Sequence, residues 1–209
     1  LGSAPVIQLK DSANQVGAAY GTSNAATAKF ITIENLAITG TSSLYNLVSL
    51  DSCNDVVFYR VNFQGSQAIS ASTSRDAQNA VYAKPTDPTK SIYNLRFVEC
   101  TFDSVTQGVI LNAYNVKILS CDFTTMSRAV WVDTTYSAAK TENIKIANST
   151  FDSIGRSAIY VNAASATTRT NVLSVGNFFG TVGGGDGSPT SPVVAFNNGS
   201  GNMSVNDVF

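Results

Sequence analysis

Three stretches, YNLRFVECTFDS (93–104), YNVKILSCDFTT (114–125) and ENIKIANSTFDS (142–153), carry one pattern, and that pattern decides the fold. Each sets Asn at position 0, apolar residues at +1 and +3, a small or sulfur-bearing side chain at +6 and Phe at +8. Anchored on Asn94, Asn115 and Asn143, the pattern extends forward to Asn171, with Phe179 at +8. It extends backward to Asp55, with Val56, Phe58, Val61 and Phe63 in the same slots. A looser copy starts at Phe30 with Ile31, Ile33, Leu36 and Ile38, and a clipped one begins at Asn202 and runs out at Phe209. Successive anchors are 25, 39, 21, 28, 28 and 31 residues apart, so the motif is fixed while the connecting loops vary.

Between copies lies a second motif with period-two alternation: VSLD (48–51), VYAK (81–84), VILN (109–112), VWVD (130–133), IYVN (159–162) and VAFN (194–197). The N-terminal IQLK (7–10) fits it as well. In such a strand the first and third residues point one way and the second points the other. Each repeat is therefore one strand, a short turn, a second strand from +1 to about +4, a corner at +5 and a third strand ending at Phe +8. One such turn cannot bury its apolar face alone, whereas stacked copies can, pairing in parallel at roughly 4.8 Å per coil. The expected fold is all-β: a single-stranded, right-handed parallel β-helix of about seven to eight coils, forming one domain over 1–209. A leucine-rich repeat lacks its helical periodicity here, and the Asn-Gly hairpin signal of antiparallel blades occurs once, at Asn198-Gly199.

The 209 residues are 44% hydrophobic and 13% charged, with a net charge of -1 and no histidine. The near-neutral balance argues against a protein that binds nucleic acid by neutralising phosphates. No apolar run approaches the roughly 18 residues that a membrane helix needs, so membrane insertion is not expected. Without imidazole, a serine-histidine triad and a histidine zinc site are both excluded. Three cysteines, Cys53, Cys100 and Cys121, are too few for a disulfide framework in a chain of this length. Cys100 and Cys121 share the +6 column on adjacent coils, where Cβ atoms lie slightly too far apart for an unstrained disulfide. Buried free thiols are the expectation there, with a metal or redox pair as the sharper alternative, and no metal site or cofactor is assigned. The chain opens in a strand-like VIQL and stops inside a repeat, so flanking domains or partner subunits are expected to cover both ends.

Stacking turns sequence positions into columns. The inward +8 column, Ile38, Phe63, Phe102, Phe123, Phe151 and Phe179, reads as an aromatic ladder in the core. The anchors Asp55, Asn94, Asn115, Asn143 and Asn171 read as a turn feature whose amides hydrogen-bond along the stack. Outward, the second motif presents Ser49, Tyr82, Ile110, Trp131, Tyr160 and Ala195. The apolar part of that strip, roughly 15 Å long, should not stay solvated without a reason. Tyr82, Trp131 and Tyr160 suit the apolar faces of sugar rings, a subunit contact, or burial under a long loop such as 64–79 or 134–141. The +2 column reads Thr32, Val57, Arg96, Lys117, Lys145 and Leu173. Its three stacked cations fit an acidic polysaccharide, or serve as solvated decoration that discourages edge pairing.

On the Asn/Phe register and the alternating second motif, the chain resembles the pectin-lyase-like right-handed β-helix superfamily from about residue 30 to 209. That scaffold hosts polysaccharide lyases, glycoside hydrolases, epimerases and bacteriophage tailspikes, and the outer face of the strand stack bearing Trp131 commonly forms its substrate cleft. Val130-Trp131-Val132-Asp133 is similar to the Trp-Ile-Asp-His stretch of pectate lyases, with Thr134 in place of the His. Asp103 and Asp152 share a column two coils apart, roughly 9.6 Å by strand spacing. That lies near the upper limit for a pair of carboxylates in an inverting glycosidase. Asp133, Asp103 and Asp152 are the candidate catalytic residues. Tyr82, Trp131, Tyr160, Arg96, Lys117 and Lys145 are the candidate carbohydrate contacts.

The Ser/Thr/Asn-rich, low-charge, histidine-free texture looks most like a phage tail or virion module. The leading expectation is a bacteriophage tail-spike or tail-fibre β-helix, homotrimeric, on the virion or otherwise extracellular, that contacts host-surface polysaccharide. A polysaccharide lyase or glycoside hydrolase of the same fold is the second reading. A structural shaft or adhesin without catalysis is the third.

Overall fold

A computed structural model describes residues 6–7, 18–20, 28–40, 46–50, 53–66, 78–85, 91–134, 141–165, 167–183 and 192–209. Among these residues the regular elements are all strands, which hydrogen-bond into three sheets of seven strands each. All the pairings are parallel, and each strand's partner lies one coil away. The protein is a parallel β-helix. One coil runs through Gln107–Leu111 in a first sheet, Val116–Leu119 in a second and Asp122–Met126 in a third.

The corners explain the Asn anchors. Phe30, Asp55, Asn94, Asn115, Asn143 and Asn171 all adopt φ between 45° and 58°. Position +5 repeats this at Asn35, Arg60, Glu99, Ser120 and Asn148, and +10 does so at Ser104, Thr125 and Ser153. Each sharp bend is thus one residue in the left-handed region, which most L-residues avoid and Asn and Asp enter several-fold more readily. The anchor amides also bond along the stack. Asn94 Nδ2 donates to Asp55 Oδ1 at 2.9 Å, and Asn115, Asn143 and Asn171 each donate to the preceding anchor at 3.2–3.3 Å.

Inside, the +8 rings stack nearly parallel. Centroid distances are 4.8 Å for Phe63–Phe102, 4.5 Å for Phe102–Phe123, 5.0 Å for Phe123–Phe151 and 4.9 Å for Phe151–Phe179. Phe58 and Phe97, stacked at 5.1 Å, meet this ladder edge-on. Toward the last coils the core turns polar. Ser149 N donates to Asn177 Oδ1, while Asn177 N and the Ser174 hydroxyl donate to the Asp207 carboxylate at 2.8 and 2.6 Å.

Two sequence assignments shift. Leu173 pairs with Met203, so the last anchor is Gly201, at φ 76°, rather than Asn202. That register puts Phe209 at +8, and its ring stacks on Phe179 at 5.2 Å. At the other end Val6–Ile7 pairs with Ala37–Ile38 in the third sheet, not with the alternating motif. Ala18–Tyr20 takes the first-sheet place, against Val48–Leu50. The remaining residues of IQLK lie outside the described residues.

Candidate functional site

The second sheet carries the cations. Arg96 pairs with Lys117 and Lys117 with Lys145, giving one exposed positive side chain on each of three successive coils. The column continues in register through Val57 and Thr32 on one side and Leu173 on the other. Beside it runs the anchor ladder, and Asn94, Asn115 and Asn143 join the three cations and Val116 in lining an open trough of about 400 Å³. Among the described residues none of the three cations is in an ion pair; the pairs are Arg60–Glu99 and Lys84–Asp133. Like charges stacked at strand spacing repel by up to roughly 1 kcal/mol per neighbouring pair in water. The arrangement opposes folding slightly and favours any anion that settles along it. Tyr93 and Tyr114, immediately before two of the anchors, stack at 5.1 Å, and burial pushes the Tyr114 hydroxyl up.

The aromatic column lies on a different sheet. Tyr82, Ile110, Trp131, Tyr160 and Ala195 pair in register on the first sheet, and none of them lines the trough. Nor is the strip an open platform: Ile110 is 6% exposed and Trp131 7%, while Tyr82 and Tyr160 are half-buried. Arg128 lies with its guanidinium carbon 5.0 Å from the Trp131 centroid and 4.7 Å from that of Tyr160. The two rings meet edge-on at 5.9 Å. The six carbohydrate candidates therefore form two separate surfaces, of which the cationic one is open. Most of the loops 64–79 and 134–141 lies outside the described residues.

The carboxylate candidates are engaged otherwise. Asp133 Oδ2 sits 2.9 Å from Lys84 Nζ, with the two side chains 4% and 7% exposed, and Asn112 Nδ2 donates to the Asp133 carbonyl. Lys84, Asn112 and Asp133 follow directly on residues paired in the first sheet, so the lysine reaches past one whole coil. Asp103 and Asp152 do flank Thr124 in one column. Asp103 accepts a hydrogen bond from Gln64 Nε2, and Asp152 accepts from the Thr181 backbone N–H at 2.8 Å. That N–H, helped by Ser153, holds the Asp152 carboxyl below the usual range, which suits a carboxylate and not a proton donor.

Sequence reasoning missed Lys84 and Arg128. The signal for the first was present, because VYAK places Lys84 in the column of Asn112 and Asp133. Cys100 and Cys121 are buried free thiols whose sulfurs donate to backbone carbonyls. The hydrogen bond to Cys100, together with burial, pushes the Cys121 thiol up.

Compared with family models, curated proteins and solved structures, the chain matches none.

Proposed function

We propose that this β-helix is a surface module that binds an acidic polysaccharide along its second sheet, in the setting of a bacteriophage tail spike or fibre that contacts host-surface glycan. One observation carries the reading: Arg96, Lys117 and Lys145 stand one per coil, outside any described ion pair, over a trough lined by the Asn94, Asn115 and Asn143 amides. Cations at a regular rise meet acidic groups along a linear chain, while amides donate to and accept from sugar hydroxyls. The Ser/Thr/Asn-rich, histidine-free composition supports the phage setting, and with it an extracellular homotrimer. A purely structural shaft would carry the same cations as solvated decoration against edge pairing, and would bind acidic and neutral polymers alike weakly. The hydrolase or lyase reading is not favoured, because Asp133 is buried against Lys84 while Asp103 and Asp152 already accept hydrogen bonds from Gln64 and from the Thr181 N–H.

Calorimetric titration with hyaluronan, polygalacturonate, polysialic acid and neutral dextran tests the proposal. At least one acidic polymer should bind and dextran should not. Lys117→Gln should weaken that binding and flatten its salt dependence by about one counterion, by analogy with other polyanions. Equal binding of dextran, or no binding of any acidic polymer, would sink the reading.

A further inference from the structure

The trough repeats one arrangement on three successive coils. Asn94 is followed at +2 by Arg96, Asn115 by Lys117 and Asn143 by Lys145, and strand pairing holds the three cations in register. Each of these amides donates one N–H to the anchor before it and accepts one from the anchor after it. An amide has two N–H groups and two lone pairs, so one of each is left over on every coil. The arrangement stops at both ends. Toward the first coils the next pair is Asp55 with Val57, an acid and no cation. Toward the last it is Asn171 with Leu173, an amide and no cation. Among the described residues that line the trough there is no carboxylate.

A site that repeats by translation selects a ligand that does the same, and here the step is one coil, roughly 4.8 Å. A pyranose linked through opposite sides of its ring advances a chain by much the same distance, so one sugar falls on each coil. Screening acts over about 8 Å at physiological salt, which is longer than that step, so neighbouring cations feel one another. An acid on every sugar gives each cation its own counter-charge. An acid on every second sugar leaves Lys117, or else Arg96 and Lys145, facing like charge without one. Lysine and arginine stems are long enough to follow an acid that alternates between the two edges of the chain.

We propose that the trough is a row of three like subsites for a polysaccharide that is acidic at every sugar and not at every second one, which rests on the acidic-polysaccharide reading above. The subsites are Asn94 with Arg96, Asn115 with Lys117 and Asn143 with Lys145. In each, the cation meets the charge, and the spare amide N–H holds a second oxygen of the same acidic group or a hydroxyl beside it. Asp55 repels a fourth acid at one end, whereas at the other only the missing cation at Leu173 limits the row.

The test is calorimetry with oligosaccharides of defined length: galacturonate and sialic acid oligomers, acidic at every sugar, against hyaluronan oligomers, acidic at every second. With at least one of the fully acidic series, affinity should climb up to three sugars and change little beyond. A hyaluronan oligomer of equal length should bind several-fold more weakly. Leu173→Lys, which completes a fourth pair with Asn171, should tighten binding of a four-sugar acidic oligomer roughly two- to fivefold, the range for one exposed ion pair. The three-sugar oligomer should gain little from it. Hyaluronan that binds as tightly as the fully acidic oligomers, or a four-sugar oligomer indifferent to Leu173→Lys, overturns the row of subsites; with Lys117→Gln still impaired, the polysaccharide reading stands. Failure of wild type to bind any acidic polymer overturns both.

Discussion

Lys84 reaches across an intervening coil to place its ammonium 2.9 Å from the Asp133 carboxylate, in a position where neither side chain is more than 7% exposed. Removing one partner leaves the other charge buried. Asp133→Ala should therefore destabilise the chain by about 3–5 kcal/mol. Replacing both, as Lys84→Met with Asp133→Leu, should recover most of that loss, because apolar groups leave no stranded charge. Urea denaturation of the two single variants and the double variant measures the cycle. A single variant as stable as wild type would mean that water reaches the pair.

Phe123 lies between Phe102 at 4.5 Å and Phe151 at 5.0 Å, with ring planes within 6° of each other in both pairs. Phe123→Ala should cost about 3–5 kcal/mol, the range for a large buried aromatic. The space is already full: a Cβ on Gly108 would lie 2.4 Å from the Ala129 carbonyl oxygen and 3.1 Å from the Phe123 ring. Gly108→Ala should accordingly destabilise too, by about 1–3 kcal/mol, since the first obstacle is backbone. Thermal melts of both variants decide the matter.

At Asn115 two contributions can be separated. Its amide donates to Asn94 and accepts from Asn143, and its backbone holds φ 55°. Asn115→Gly removes only the side-chain bonds, whereas Asn115→Ala also strains the bend. The alanine variant should be the less stable by about 1–2 kcal/mol, the left-handed penalty for a residue with a Cβ. Equal midpoints in denaturant would show that the corner relaxes.

Asp152 gives the pH dependence. The Thr181 N–H holds its carboxyl below the ordinary value, so the folded state favours the ionised form. The resulting stabilisation is fully present above the unfolded value of about 3.9 and is lost as pH falls through the lower folded value. The stability gap between wild type and Asp152→Asn should be constant from neutrality to about pH 5 and close below about pH 4. Denaturant midpoints taken across that range check it; a gap that widens in acid would reverse the sign.

What the sequence made legible depended on how each residue is constrained. The +3 and +8 positions are buried in every coil from the one anchored at Asp55 to the one anchored at Asn171, so Phe58, Phe63, Phe102 and Phe123 announce the register directly. Asn202 resembles an anchor and Gly201 is one, because the corner demands a positive φ and not an amide, and glycine meets that demand without a side chain to recognise. Ile7, the first residue of IQLK, lies in the third sheet, and a strand as short as Val6–Ile7 carries no alternation peculiar to one sheet. The cation column was readable from spacing alone. The cover over Trp131 was not, because alternation tells which way an indole points and nothing of what lies above it. The Lys84–Asp133 pair escaped a comparison of adjacent coils, since its members are two coils apart.

The change of core chemistry along the stack gives this helix a direction of failure. Coils joined through Phe102, Phe123 and Phe151 cohere by burying large apolar area. Those joined through Ser149, Ser174, Asn177 and Asp207 keep the Phe151–Phe179–Phe209 stack but exchange part of the remaining apolar area for hydrogen bonds, which contribute about 1 kcal/mol each once exchange with water is counted. In a solenoid, opening is governed by the weakest junction between neighbours. Under pulling force or mild denaturant the coils around Asn177 part first, so amide protons such as that of Gly176 exchange well before that of Asp122. A load applied along the axis would then be relieved by peeling from the hydrogen-bonded side, with the aromatic segment that carries the cationic trough left intact.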